Sequence, residues 1–196
     1  MAANGAGGSR GQLPVHAAAM RGDIGALAWL HAHGESMQAV ATDTGQQPTH
    51  FAAAARSLDA LAWLGSHGGD LTALSHTGQQ PLHLVALAGD TATLSWLEEQ
   101  GVDLGALRQS DGASAAHFAS AGGDGDAAAA LRTLAWLDQR GQVDLAATTL
   151  AGQTALDLWS AGIDEIEKVA AEDEEVAAWW QKQQDRASSA DHAQEL

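Results

Sequence analysis

The sequence predicts an all-α protein, a solenoid of helix–turn–helix repeats with hairpin-like connections between repeats and a capping helix at the C-terminal end. The first observation is a set of glycines that recur at a period of about 34 residues, as in helical repeat arrays. They are Gly11, Gly45, Gly78, Gly112 and Gly152. The second is a histidine at one fixed distance after each of the first four glycines. The third is a Trp–Leu pair, followed by another glycine, at one place in each of the first four units. Together these features indicate one repeated structural unit.

Each unit is predicted to contain two short helices, and the third unit shows the pattern. Pro81 suits the first turn of a helix, where its missing N–H is not needed. Gly89 ends this first helix, and Asp90 or Thr91 caps the second. Gly101 provides the left-handed residue that commonly follows a helix. The residues between Gly101 and the next unit then form an extended connection.

Composition excludes several classes of function. The 196 residues include 44 Ala, about half of the hydrophobic residues, so closely packed small helices are expected rather than one thick core. The absence of Cys rules out disulfides, a thiol nucleophile and Cys-ligated metals. A formal net charge of −16 argues against binding to nucleic acid or an anionic membrane. We find no signal-like or membrane-spanning apolar run and expect a cytoplasmic protein, with the nucleus as the alternative.

The repeat period also predicts the organisation of the chain. We expect a disordered segment over residues 1–10 and a repeat domain over residues 11–163. An acidic helix over residues 164–187 and a tail over residues 188–196 follow it. Within the repeat domain, the units fall near residues 11–44, 45–77, 78–111 and 112–151, with a degraded unit over 152–163 that continues into the cap.

The fourth unit is longer than the others between residues 124 and 136. Because the extra residues fall between the two helices of the unit, the insertion should project away from the hairpin tips. We interpret the insertion as a loop with one more turn on the second helix, and the alternative is a functional protrusion.

The C-terminal stretch from Asp164 to Arg186 is predicted to be one amphipathic helix that caps the solenoid. Its apolar stripe contains Ile166, Val169, Val176 and Trp180, interrupted by Asp173. The alternative is an acidic docking surface. That surface would consist of Glu172, Asp173, Glu174 and Glu175.

Catalytic and metal-binding interpretations are weak. Packed helices lie about 8–10 Å apart, so the four periodic His are too distant to share one ion. We therefore predict that they bond the backbone near the turns. No metalloprotease, nucleophile-elbow or P-loop motif is present, and we predict no catalytic residue, cofactor or metal. The four Trp of the Trp–Leu pairs are predicted to fill the core between repeats, with a recognition ladder as the alternative.

The four-residue boxes that end in the periodic histidines resemble the Thr-Pro-Leu-His box of ankyrin repeats. They are Leu13-Pro14-Val15-His16, Gln47-Pro48-Thr49-His50, Gln80-Pro81-Leu82-His83 and Ser114-Ala115-Ala116-His117, with a degraded fifth box, Thr154-Ala155-Leu156-Asp157. The resemblance covers about five repeats and implies a non-catalytic protein-interaction module, an adaptor, scaffold or regulator. Its partner would be another protein, and we expect the chain to be a monomer.

The resemblance also implies where a partner would bind, namely the hairpin tips and the exposed face of the first helices. The corresponding tip residues are Asp43, Thr44, Gln46, His76, Thr77, Gln79, Ser110 and Asp111. Those on the first helices are Met20, Arg21, Ala54, Ala55 and Leu87. This surface is expected to be small, polar and nearly uncharged, with Arg21 as its one residue of the usual anchor types. Two alternatives remain: an inhibitor of a basic or nucleic-acid-binding protein that acts through the acidic helix, and the targeting subunit of a separate enzyme.

Overall fold

A computed structural model describes residues 11–122, 126–141, 143–159 and 163–194, and the expected disordered segment 1–10 lies outside them. Within these ranges the chain forms ten α-helices and no strand, which confirms the predicted all-α solenoid. The helices are α1 (Pro14–Met20), α2 (Ile24–Ala32), α3 (Pro48–Ala54), α4 (Leu58–Ser66), α5 (Pro81–Leu87), α6 (Thr91–Glu99), α7 (Ala115–Ala121), α8 (Ala127–Arg140), α9 (Ile163–Glu172) and α10 (Glu174–Gln194).

The helices form two layers. The first helices of successive repeats, α1, α3, α5 and α7, contact one another, and each also contacts the second helix of its own repeat. The first helices meet through small residues such as Ala19, Ala53 and Ala86, so their backbones lie close together. The second helices contribute leucines such as Leu61 and Leu94, both fully buried, to the core between the layers. This arrangement explains how an alanine-rich chain builds a continuous core.

The periodic histidines hold the start of each first helix. The Nδ1 atom of each accepts the backbone N–H of the residue before the helix, at 2.9 to 3.1 Å. The Nε2–H donates to a backbone carbonyl in the connection that follows, also at 2.9 to 3.1 Å. The predicted structural role of His16, His50, His83 and His117 is therefore confirmed.

The tryptophans differ from their prediction. Trp29 is 59% exposed, and Trp63, Trp96 and Trp136 are half-buried on the outer side of the second helices. The core position belongs to the leucine that follows each Trp, because consecutive helical residues point in different directions. Trp29 stacks on His33 and Trp63 on His67, and the Arg140 guanidinium lies over Trp136. The prediction that all four Trp fill the core is thus wrong for Trp29 and only partly right for the other three.

The insertion in the fourth repeat lengthens a helix. Helix α8 has 14 residues, whereas α2, α4 and α6 have nine each. The additional turn begins with Ala127, and the Asp126 carboxylate caps it by accepting the N–H groups of Ala128 and Ala129. Ala129 lies against Gly89, at the turn of the preceding repeat. The insertion is therefore packed on repeat three rather than projecting freely where it is described.

The C-terminal region contains two helices, so the prediction of a single helix over 164–187 followed by a tail from 188 is wrong. Asp173 separates α9 from α10, and its Oδ1 accepts the N–H groups of Glu175 and Val176 at 3.1 and 3.2 Å. This is the geometry of a helix N-cap, which explains why the helix restarts here. Helix α10 then continues to Gln194. Trp179, 3% exposed, takes the buried place expected for Trp180, which is half-buried.

We predict that Asp173→Ala lowers the free energy of unfolding by about 1–2 kcal/mol, because both the helix cap and an ion pair are lost. The Asp173 Oδ2 atom accepts a hydrogen bond from Arg132 Nε at 2.7 Å, which ties the cap to α8. Urea denaturation would measure the loss, with exposed Glu172→Ala as the control. Equal stability of the two variants would contradict the assigned role of Asp173.

Candidate protein-binding surface

The hairpin tips form a single row joined by backbone hydrogen bonds. The His76 N–H donates to the Thr44 carbonyl at 2.9 Å, and the Ser110 N–H donates to the Thr77 carbonyl at 3.1 Å. At the end of the row, the Leu150 N–H donates to the Asp111 carbonyl at 2.8 Å. Because each tip is bonded to the next, the row presents side chains at fixed spacing.

The predicted tip residues differ in exposure. Five have exposed side chains, namely Asp43, Thr44, His76, Thr77 and Ser110. Gln46, Gln79 and Asp111 are half-buried. The Gln79 carbonyl also accepts hydrogen bonds from the Ser75 N–H and from His50 Nε2, so this residue holds the turn as well as lining it.

The predicted first-helix residues lie at the far ends of their helices from the tips. Met20, Arg21 and Ala54 are exposed, whereas Ala55 and Leu87 are half-buried. A helix of seven residues is about 10 Å long, so this set and the tips form two separate rows. At the first two repeats, the helix ends border an open groove of about 490 Å³. Its lining includes Met20, Arg21, Ala55 and Arg56.

The two rows meet at one groove, between repeats three and four. Leu87 from the first-helix row and Asp111 from the tip row line the same groove, which has a volume of about 290 Å³. Phe118 and Leu158 supply apolar surface, and Arg108 also lines the groove. Its guanidinium carbon is 4.7 Å from the centre of the Phe118 ring. This arrangement fits an apolar side chain of a partner that carries polar groups beside it.

An ion pair shapes the electrostatics of this groove. Arg108 Nε donates to Asp111 Oδ1 at 2.8 Å, and Arg108 Nη2 also contacts Asp111 Oδ2. The hydrogen bond from Arg108 holds the pKa of the Asp111 carboxyl below its usual range. Both partners remain partly accessible, so a carboxylate or an amine of a partner could exchange into the pair.

The expectation of a nearly uncharged surface with Arg21 as its one anchor is wrong, since Arg108 and Phe118 line this groove. Phe118 directly follows the fourth box histidine, and Arg108 precedes Asp111 by three positions, so both were visible in the sequence. The degraded fifth box could have indicated this groove, because a fifth repeat would place its first helix there and this chain has none at that place. Residues 155–158 form turns in its place, and Leu158 borders the groove instead.

The acidic segment divides into a structural part and an exposed part. Asp173 is engaged with Arg132 and the start of α10, so it does not belong to a free docking surface. Asp138 of α8 pairs with Lys182 and Arg186 of α10 at 3.4 and 3.0 Å. Glu172, Glu174 and Glu175 are exposed. The C-terminal helices thus act as a cap that still carries surface carboxylates.

Comparison with known proteins agrees with the fold. Residues 15–65 match the family model described as ankyrin repeats (many copies). The paired helices α5–α6 and α7–α8 continue the same construction beyond the match, which supports assignment of the repeats to the ankyrin type. Ankyrin repeats are generally protein–protein interaction modules and typically lack catalytic activity. The comparison with curated proteins gave no match. Among the described helices, none combines the length and apolar character required to cross a bilayer.

Proposed function

We propose that the chain is a non-catalytic adaptor, scaffold or regulator that binds a partner protein through the concave surface of hairpin tips and first helices. The observation that carries this proposal is the hydrogen-bonded row of tips that ends in the groove between Leu87, Arg108 and Phe118. A partner segment can follow the row and place an apolar side chain in the groove. The module is proposed to act as a monomer in the cytoplasm or nucleus, without cofactor, nucleic acid or membrane.

The absence of cysteine makes a direct test possible, because a single introduced cysteine carries a photo-crosslinker at one defined place. Ala54→Cys lies on the concave side, in α3, and Ala92→Cys lies on an outer helix, α6. Both alanines are exposed. With the labelled full chain in an extract of its source cells, we expect position 54 to crosslink to one defined protein and position 92 to give none.

The identified partner then allows a quantitative prediction. Ala54→Arg and Thr77→Arg should each raise the dissociation constant by about tenfold or more, since charge and bulk enter the contact. Ala92→Arg is the matched control and should leave it unchanged. Surface plasmon resonance with the purified partner measures all three. If Ala92→Arg loses partner binding while Ala54→Arg and Thr77→Arg keep it, the interface lies on the outer helices instead.

The charge-based alternative rests on the exposed Glu172, Glu174 and Glu175. Exposed charges steer association and are screened beyond about 10 Å at 0.1 M salt. A variant with all three changed to Gln should therefore slow association at low salt and leave the dissociation rate unchanged. Complete loss of binding in this variant, with full binding by Ala54→Arg, would favour an inhibitor of a basic protein.

A further inference from the structure

Two histidines approach each other on the outer side of the first two repeats. His31 belongs to α2, and His67 follows α4 as its C-cap. Their ring centres lie 5.4 Å apart, with the ring planes at 82° to each other. Both side chains are exposed, so solvent and solutes reach the space beside them.

The position of His31 follows from its contacts with a stacked pair of rings. The His67 ring lies parallel to the Trp63 ring, with centres 3.9 Å apart and an angle of 10° between planes. His31 is 5.9 Å from Trp63 and 5.4 Å from His67. A ring above the outer face of His67 would be much farther from Trp63 than from His67. His31 therefore lies beside the stack, next to the edge of the His67 ring rather than over its face.

The tautomer of His67 is fixed by its own helix. His67 Nδ1 lies 2.8 Å from the Trp63 carbonyl oxygen and 2.9 Å from Ser66 Oγ, whose own hydroxyl donates to the same carbonyl. Because both neighbours are then acceptors, Nδ1 carries the hydrogen. In the neutral imidazole this leaves the lone pair on Nε2. Histidines that bind metals usually donate their other N–H to a carbonyl in this way, which fixes the ring and strengthens the ligand.

The separation of the two rings also suits a shared ion. An imidazole nitrogen binds Zn²⁺ at about 2.0–2.1 Å, which places the centres of two such rings about 4.5–5.5 Å apart on one ion. The observed 5.4 Å lies in this range. Within the described part of the chain, no group of three or more His, Cys, Asp or Glu could hold a metal. A site here would therefore take two protein ligands and complete its coordination with water.

We propose that His31 and His67 form a two-histidine site for a divalent transition metal, of the Zn²⁺, Ni²⁺ and Cu²⁺ class that imidazole prefers. The ion would bridge α2 and α4 and so join the first repeat to the second. This inference is independent of the proposed protein binding, since it concerns the opposite face of the solenoid.

The test uses the full chain, prepared without a histidine tag and titrated with ZnCl₂ in a calorimeter. We expect one ion per chain, and His31→Ala and His67→Ala should each weaken binding about tenfold or more, as expected for loss of one of two ligands. MgCl₂, which prefers oxygen ligands, should produce no binding. A saturating Zn²⁺ concentration should raise the midpoint of thermal unfolding by about 5 °C.

His33→Ala is the matched control. His33 is also an exposed C-cap histidine that stacks on a tryptophan, Trp29, and contacts its carbonyl oxygen through Nδ1 at 2.7 Å. The variant should bind Zn²⁺ like the unchanged chain. Absence of binding up to millimolar Zn²⁺, or equal affinity in the unchanged chain and the His31→Ala/His67→Ala double variant, would overturn the proposal.

Discussion

Gly78→Ala will lower the free energy of unfolding by about 3–4 kcal/mol, whereas Gly112→Ala will lower it by about 1–2 kcal/mol. Both glycines have φ of +73°, a left-handed conformation in which any side chain is strained. They differ in what lies beside them. A Cβ on Gly78 would come within 2.8 Å of the Gln109 backbone nitrogen, whereas the atom nearest to a Cβ on Gly112 is 4.0 Å away.

The comparison therefore separates the conformational cost of a left-handed alanine from the cost of displacing the neighbouring hairpin tip. Urea denaturation of both variants measures the two free energies, and an unchanged m value would show that the unfolding transition is comparable. If the two variants lose the same stability, the tips are not packed against one another as the row of backbone hydrogen bonds requires.

The second large effect is a loss of stability in acid. Burial lowers the pKa of His83 from 6.5 to about 4, and it also lowers the pKa of His50. Between these pH values the unfolded chain binds a proton at His83 that the folded chain does not, so stability falls as the pH falls from 6.5 towards 4. A shift of this size corresponds to about 3 kcal/mol for His83. Above pH 6.5 His83 is neutral in both the folded and the unfolded chain, so its burial no longer reduces stability.

Two measurements check this expectation. Urea denaturation at several pH values should show the decline, and His83→Gln should make it shallower because the residue that titrates is gone. An NMR titration of the folded chain should show a neutral His83 ring down to about pH 4. A ring that gains its proton near pH 6.5 in the folded state would contradict the buried hydrogen-bonding role of His83.

The repeated motifs predicted the helical part of the fold well because each motif acts locally. Pro81 favours the helix start through its fixed φ, and His83 Nδ1 accepts the Gln80 N–H within the same turn, so sequence spacing is sufficient to locate the start. The break at Asp173 was harder to predict. The residue was visible as an interruption of the apolar stripe, but its choice between a surface carboxylate and a helix cap depends on Arg132 of a distant helix.

The candidate site was only partly predictable for the same reason. The positions of the hairpin tips follow the repeat period and can be predicted from it, whereas the groove depends on contacts between repeats three and four and on residues after the fourth. Trp29 shows the limit of reasoning from residue type. The size of its apolar ring predicts a core position, but at this place in α2 the Trp29 side chain points outward and the side chain of Leu30 points inward.

The histidine bonds also give the solenoid a direction and a stopping point. Each box histidine donates to the connection on its C-terminal side, so every repeat is completed by the segment that follows it. The fifth box has Asp157, whose carboxylate accepts from the Thr154 N–H and hydroxyl but has no second donor to offer. With Asp157 in place of the histidine, the fifth box cannot bond a following connection, and the series of repeats ends here. A duplicate of residues 78–111 inserted before Gly112 should therefore extend the array by one unit, because the inserted His and the existing acceptor segments already match.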